Sequence, residues 1–233
     1  MNSDAVAANL KLVSARLAAA TAQAVRRADS VRLLAISKTH PAAAVRAAYA
    51  TGQRAFGENR VQELVGKAAE LADLVDLQWH LIGSLQTNKV RELLHVPGLA
   101  LLHSLDRERL ADELQRELQR AGRSLDVLLQ VHATGEATKH GCELAEVPAL
   151  LAHVQAKCPA LRVLGLMAMG PLAADPAPVF AAVAALRDRL RVLSGLPLPT
   201  LSLGMSGDLD AAVAAGSTLV RIGTAVFGAR PVE

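Results

Sequence analysis

The chain has 233 residues, of which 52% are hydrophobic and 20% charged, with a formal net charge of +3. This composition supports a large buried core and excludes a disordered chain. Aromatic residues make up only 2%, and the basic residues are scattered among acidic ones, so no nucleic acid is expected as a partner.

The segment MNSDAVAANLKLVSARL carries Asp4, Lys11 and Arg16 and has no apolar h-region, so it is not read as a signal peptide. Val6, Leu10, Val13, Leu17, Ala20 and Ala24 recur at spacings of four and three and predict a helix over 4–28. Strand and helix patterns then alternate. Strands are expected over 31–37, 54–57, 77–82, 100–104, 126–131, 162–168, 200–204 and 219–223. Helices are expected over 41–51, 59–73, 86–94, 106–121, 143–156, 175–193 and 208–215, with stops at Gly52, Gly122, Gly195 and Gly216. Eight strands separated by seven helices predict an α/β fold, a (β/α)8 barrel of TIM type with an extra N-terminal helix, as one domain over 1–233. A closed barrel completes its own core, so a monomer is expected. Cys142 and Cys158 form no C-x-x-C pair and read as reduced thiols of a cytoplasmic protein. No apolar run is long enough to span a bilayer, so no membrane is expected as a partner.

Chemistry in such a barrel belongs at the C-terminal ends of the strands. Those ends carry Lys38, Glu58 with Asn59, His80 with Gly83 and Ser84, Ser104, His132, Met167 with Met169, Ser206, and Gly223 with Thr224. Lys38 ends the apolar run LLAISKTH, where partial burial supplies the neutral amine that attacks an aldehyde. The alternative is a rim lysine paired with Glu58. Ser206 and Gly207 precede one predicted helix, and Gly223 and Thr224 follow the last strand. Loops after strands 7 and 8 are the usual phosphate site of barrels, although Gly-containing turns are also common as structure. Asp208 would repel an anion there unless it turns outward. Arg221 shares a strand face with Gly223 inside the barrel and needs a partner. A pyridine nitrogen would serve, and so would Glu58 or Asp208. Asn59, His80 and Met167 are weaker candidates, since a strand histidine or a methionine is more often structural. His132, His140 and Cys142 match no standard zinc spacing. No P-loop, G-x-G-x-x-G, G-x-S-x-G or H-E-x-x-H is present. An amine early in the chain and a phosphate cradle late in it together suit a phosphorylated aldehyde, pyridoxal 5'-phosphate (PLP).

The segments AISKTHP (35–41), FGENRVQE (56–63), WHLIGSLQTNK (79–89), GLMAM (165–169) and LSLGMSGDLDAAVAAGSTLVRIGTAVFGAR (201–230) resemble the PLP homeostasis protein family (the YggS/PROSC, or PLP-binding protein, family). The resemblance runs through nearly the whole chain. It implies a fold-type III barrel like the N-terminal domain of alanine racemase, with PLP on Lys38 as an internal aldimine. It implies that Ser206, Gly223 and Thr224 hold the phosphate, with Gly207 also in the cofactor site, that Arg221 faces the pyridine nitrogen, and that Asn59, His80 and Met167 line the pocket. His40 and His132 depart from the residues usual in the family. The implied function is PLP binding, homeostasis and delivery to PLP-dependent apoenzymes, without an established reaction. The alternative is a PLP-dependent amino-acid racemase, which needs a second acid–base group opposite the lysine. In alanine racemase a tyrosine from an additional domain fills that role. The only tyrosine here, Tyr49, falls on the first barrel helix. A lysine Schiff-base aldolase would fit the barrel and Lys38 but leaves Arg221 without a role.

Overall fold

The computed structural model describes residues 3–134 and 140–229. Helix α1 (Ser3–Gln23) precedes β1 (Arg32–Ile36), α2 (Ala42–Ala50), β2 (Ala55–Glu58), α3 (Val61–Glu70), β3 (Gln78–Leu81), α4 (Val90–Leu94) and β4 (Leu99–Leu105). Then follow α5 (Glu108–Arg120), β5 (Leu125–His132), the two-residue β6 (Cys142–Glu143), α6 (Val147–Lys157), β7 (Leu161–Ala168), α7 (Ala177–Ser194), β8 (Thr200–Ser202), α8 (Leu209–Ala214), β9 (Leu219–Ile222) and α9 (Thr224–Phe227). Every pairing is parallel, the order is β4-β3-β2-β1-β9-β8-β7-β5-β6, and β4 also pairs with β5. That last pairing closes the ring, so the expected eight-stranded barrel forms, with β6 appended to β5.

Strands buried on both faces read as near-continuous apolar runs, as in LDVLLQVH of β5 and LRVLGLMA of β7. Alternate residues divide between two cores. Leu34, Ile36, Leu101, Leu128, Met167 and Leu219 fill the lumen. The second and larger core, including Leu114, Val154, Val183 and Leu190, packs strands against helices. Each fully buried leucine or valine contributes roughly 1.5–3 kcal/mol.

Helix α1 lies outside the ring and packs on α2, α8 and α9 through Val6, Leu10, Val13, Leu17 and Ala20. It ends at Gln23 rather than 28, because the chain turns sharply at Val25, where φ is 54°. Helix α6 begins at Val147 rather than 143, since Cys142 and Glu143 extend the sheet opposite Val131 and His132. Helix α3 begins at Val61 rather than 59, because Glu58 completes β2 beside Leu81 and leaves Asn59 in the loop. Among the described residues no helix is long and apolar enough to cross a membrane.

Candidate functional site

A cavity of about 300 Å³ opens at the C-terminal ends of the strands. It is lined by Ile36, Lys38, Asn59, Ile82, Met167, Met169, Met205, Ser206, Gly207, Arg221, Gly223 and Thr224. The fold therefore brings together eight of the nine residues singled out from the sequence. His80 is the exception: it lies in the barrel interior and does not line the cavity.

Lys38 is half-buried in the turn after β1. The backbone on either side of it is gripped from behind. Lys67 of α3 donates to the Ser37 carbonyl at 2.7 Å, to Glu58 Oε1 at 2.7 Å and to Glu63 Oε1 at 2.8 Å. Ser37 Oγ donates to Glu58 Oε1 at 2.6 Å, and the Thr39 N–H donates to Glu63 Oε1. Thr39 has φ of 67°, a left-handed conformation that costs a β-branched residue on the order of 1–3 kcal/mol and persists where its surroundings hold it. Glu58 thus bonds Lys67 and Ser37, not Lys38 as the alternative sequence reading had it. Its Oε2 is buried without a partner, and burial pushes the carboxyl up to about 7 against the pull of Lys67. Sequence reasoning missed Lys67. Its signal was the i,i+4 spacing from Glu63 within FGENRVQELVGK.

The loops after β8 and β9 form the opposite wall. At Gly204 the backbone has φ of 94°, and a Cβ would stand 2.6 Å from the Ala212 Cβ, so only glycine lets α8 pack this close. The following turn carries Ser206 and Gly207. Asp208 accepts the Met205 N–H at 2.5 Å, which ties its carboxylate into its own turn. From α1, Arg16 donates to the Ser206 carbonyl at 2.7 Å and to Asp210 at 2.6 Å, while Asn9 donates to the Val226 carbonyl at 3.0 Å. The N-terminal helix therefore clasps both loops. Among the described residues, the Ser206 and Thr224 hydroxyls and the Gly207 N–H have no acceptor within the protein.

Arg221 is buried in the floor of the cavity. It donates to the Ser202 carbonyl at 2.5 Å, to Ser202 Oγ at 2.8 Å and to the Ala168 carbonyl at 2.9 Å. Neither Glu58 nor Asp208 hydrogen-bonds to it, although the charge of Asp208 favours its protonated form. Burial lowers its pKa to about 10, so the guanidinium stays charged at neutral pH. Beyond Ser202 the contacts continue to His103 at 3.1 Å and from His103 to His80 at 2.9 Å. Burial holds His80 down to about 3 and His103 well below its ordinary value, so both rings are neutral.

Taken together, the cavity presents a primary amine, a guanidinium, two hydroxyls and loop amides. This set can seat a phosphate monoester and place a carbonyl against the amine. His132, His140 and Cys142 do not converge on a common ligand position. Asp112, His153 and Cys158 do come within ligand range of one another, on the outside between α5 and α6.

The alanine racemase N-terminal domain profile matches residues 1–231. A pyridoxal phosphate homeostasis protein from Pseudomonas aeruginosa is 48% identical over 225 residues, covering 97% of this chain and 96% of that protein. Its counterpart from Escherichia coli K12 is 43% identical over 232 residues, covering 97% of each. The chain belongs to the pyridoxal phosphate homeostasis protein family. Among solved structures, PipY of Synechococcus elongatus PCC7942 with PLP bound is 38% identical, superimposes with a TM-score of 0.84 and covers 96% of this chain and 100% of its own. The resemblance seen in the sequence motifs thus extends over nearly the full length of the family's proteins, and the family's barrel is the one described above.

Proposed function

We propose that the protein binds PLP covalently through Lys38 and passes it on to PLP-dependent apoenzymes, without a catalytic reaction of its own. The observation that carries this reading is the convergence of Lys38, Arg221 and the unengaged hydroxyls of Ser206 and Thr224 on one cavity. That donor set fits the cofactor group by group. The Ser206 and Thr224 hydroxyls, with the amides of Gly207 and Gly223, donate to the phosphate. Arg221, a permanent donor, faces the ring nitrogen and leaves it unprotonated. Met167 and Asn59 flank the ring. The bound group supplies an aldehyde carbon. Lys38, as the neutral amine, condenses with it and water leaves; hydrolysis or transfer to another amine frees the lysine again.

The carrier reading is favoured over a racemase by what lines the cavity. Among the described lining residues, Lys38 is the one amine, and no carboxyl, imidazole, thiol or phenol stands beside it, whereas two-base racemisation needs a second acid–base group. Tyr49 does not line the cavity; its hydroxyl donates to Asp76. The closed ring also supports a monomer, and two unpaired buried thiols suit the cytoplasm.

The test is the visible absorbance of the purified protein before and after added PLP, beside Lys38→Ala. A band in the wild type that is absent from the variant, with borohydride fixing PLP to the peptide containing Lys38, supports the reading. No band at excess PLP would overturn it. Sustained inversion of added amino acids by the loaded protein would replace the carrier with the racemase.

A further inference from the structure

Arg221 sits at one end of a chain of contacts that crosses the barrel lumen. His80 stands on β3, His103 on β4, Ser202 on β8 and Arg221 on β9. The relative exposures are 5% for His80, 0% for His103, 0% for Ser202 and 4% for Arg221, so water does not compete for these bonds. The lumen around them is otherwise lined by Leu34, Leu101, Leu128 and Leu219. In such surroundings a polar group left unmatched is strongly disfavoured.

Donor and acceptor capacities, with the burial of the Ser202 hydroxyl, favour one direction along the chain. A guanidinium only donates, so Ser202 Oγ accepts from Arg221 Nη1 at 2.8 Å. The Ser202 hydroxyl hydrogen is then free to point at His103 Nδ1, 3.1 Å away. With Nδ1 accepting, neutral His103 carries its proton on Nε2 and donates to His80 Nδ1 at 2.9 Å. His80 accordingly carries its proton on Nε2. This assignment satisfies every contact with both rings neutral and gives the buried Ser202 hydrogen an acceptor, which the reverse direction, with both imidazoles donating toward Ser202 Oγ, would not; no carboxylate takes part. Arg221 is thereby held by neutral acceptors alone, and its charge is left for whatever occupies the cavity.

We infer that His103 is a positioning residue: acting through Ser202, it fixes the edge of the Arg221 guanidinium that lines the cavity. The inference rests on the PLP reading of that cavity and deepens it, since the same edge meets the cofactor's ring nitrogen. His103 touches no ligand; it acts by orienting Ser202 Oγ. The carbonyls of Ser202 and Ala168 still hold Arg221 when His103 is lost, so the expected result is a loosened site.

The experiment loads wild type, His103→Leu, His103→Asn and Ser202→Ala with PLP. It follows the absorbance maximum of the lysine-bound cofactor and its rate of release on dilution. His103→Leu keeps the lumen filled but removes both ring nitrogens. It should still load at Lys38, with a shifted maximum and about tenfold faster release. His103→Asn places an amide oxygen near the Nδ1 position and should restore the wild-type maximum. Ser202→Ala deletes only the bridging oxygen and should reproduce the His103→Leu shift. It decides the matter alone if His103→Leu does not fold. Folded His103→Leu and Ser202→Ala proteins with the wild-type maximum and release rate would overturn the inference and leave the PLP reading intact. A wild type that shows no lysine-bound band would sink both.

Discussion

Glu58 is a fully buried carboxyl with one oxygen matched, by Lys67 and Ser37, and the other not. Burial raises its carboxyl from 4.5 to about 7. A carboxyl whose folded pKa lies above its unfolded one favours folding while protonated. Its contribution is complete below about 4.5 and is lost as pH rises through about 7. The amount is on the order of 3 kcal/mol. Melting curves of wild type and Glu58→Gln across that window should therefore diverge, with the wild type losing ground as pH rises; parallel curves would show that Lys67 keeps the carboxylate ionised throughout. Residues of this kind mark the limit of what the sequence makes legible. Lys38, Ser206, Arg221 and Thr224 could be read because a strand end is a recognisable place and their side chains are unusual there. Lys67 and His103 act on those residues from other elements, through contacts that exist only after closure. His80 was noticed for its position, but its partner was not.

Element order and type were legible because the apolar period changes cleanly between strand and helix, as between LDVLLQVH and VPALLAHVQAK. Helix starts were less so. Cys142 and Glu143 have no local strand signal and are recruited by Val131 and His132, where β5 runs past its pairing with β4. The turn from β8 to α8 contains two glycines with opposite duties, and mutation separates them. Gly204→Ala forces a side chain into a left-handed backbone and against the Ala212 methyl, so thermal stability should fall by roughly 1–3 kcal/mol. A Cβ on Gly207 meets nothing within 4 Å, yet the residue lines the cavity. Gly207→Ala should melt within about 0.5 kcal/mol of wild type while binding PLP more weakly. Equal melting temperatures for the two variants would contradict this division.

The barrel closes without α1, so what α1 adds must be sought in what it touches. It holds the Ser206 turn through Arg16 and Val226 of α9 through Asn9. The Arg16–Asp210 pair is exposed and worth little by itself. Arg16→Ala should thus leave the melting temperature nearly unchanged and speed PLP release only about twofold, a loss of ~0.5 kcal/mol. Release slowed by the substitution would show that the clasp works against retention. The two bonds of this clasp join residues 190 and 217 positions apart. A ribosome therefore delivers Lys38 and the grasping helix well before the loops they act with. Until then the cavity beside the lysine lacks the wall that Ser206, Gly207, Gly223 and Thr224 supply. On the proposed reading, PLP should be retained only once both loops have been made and folded against the helix.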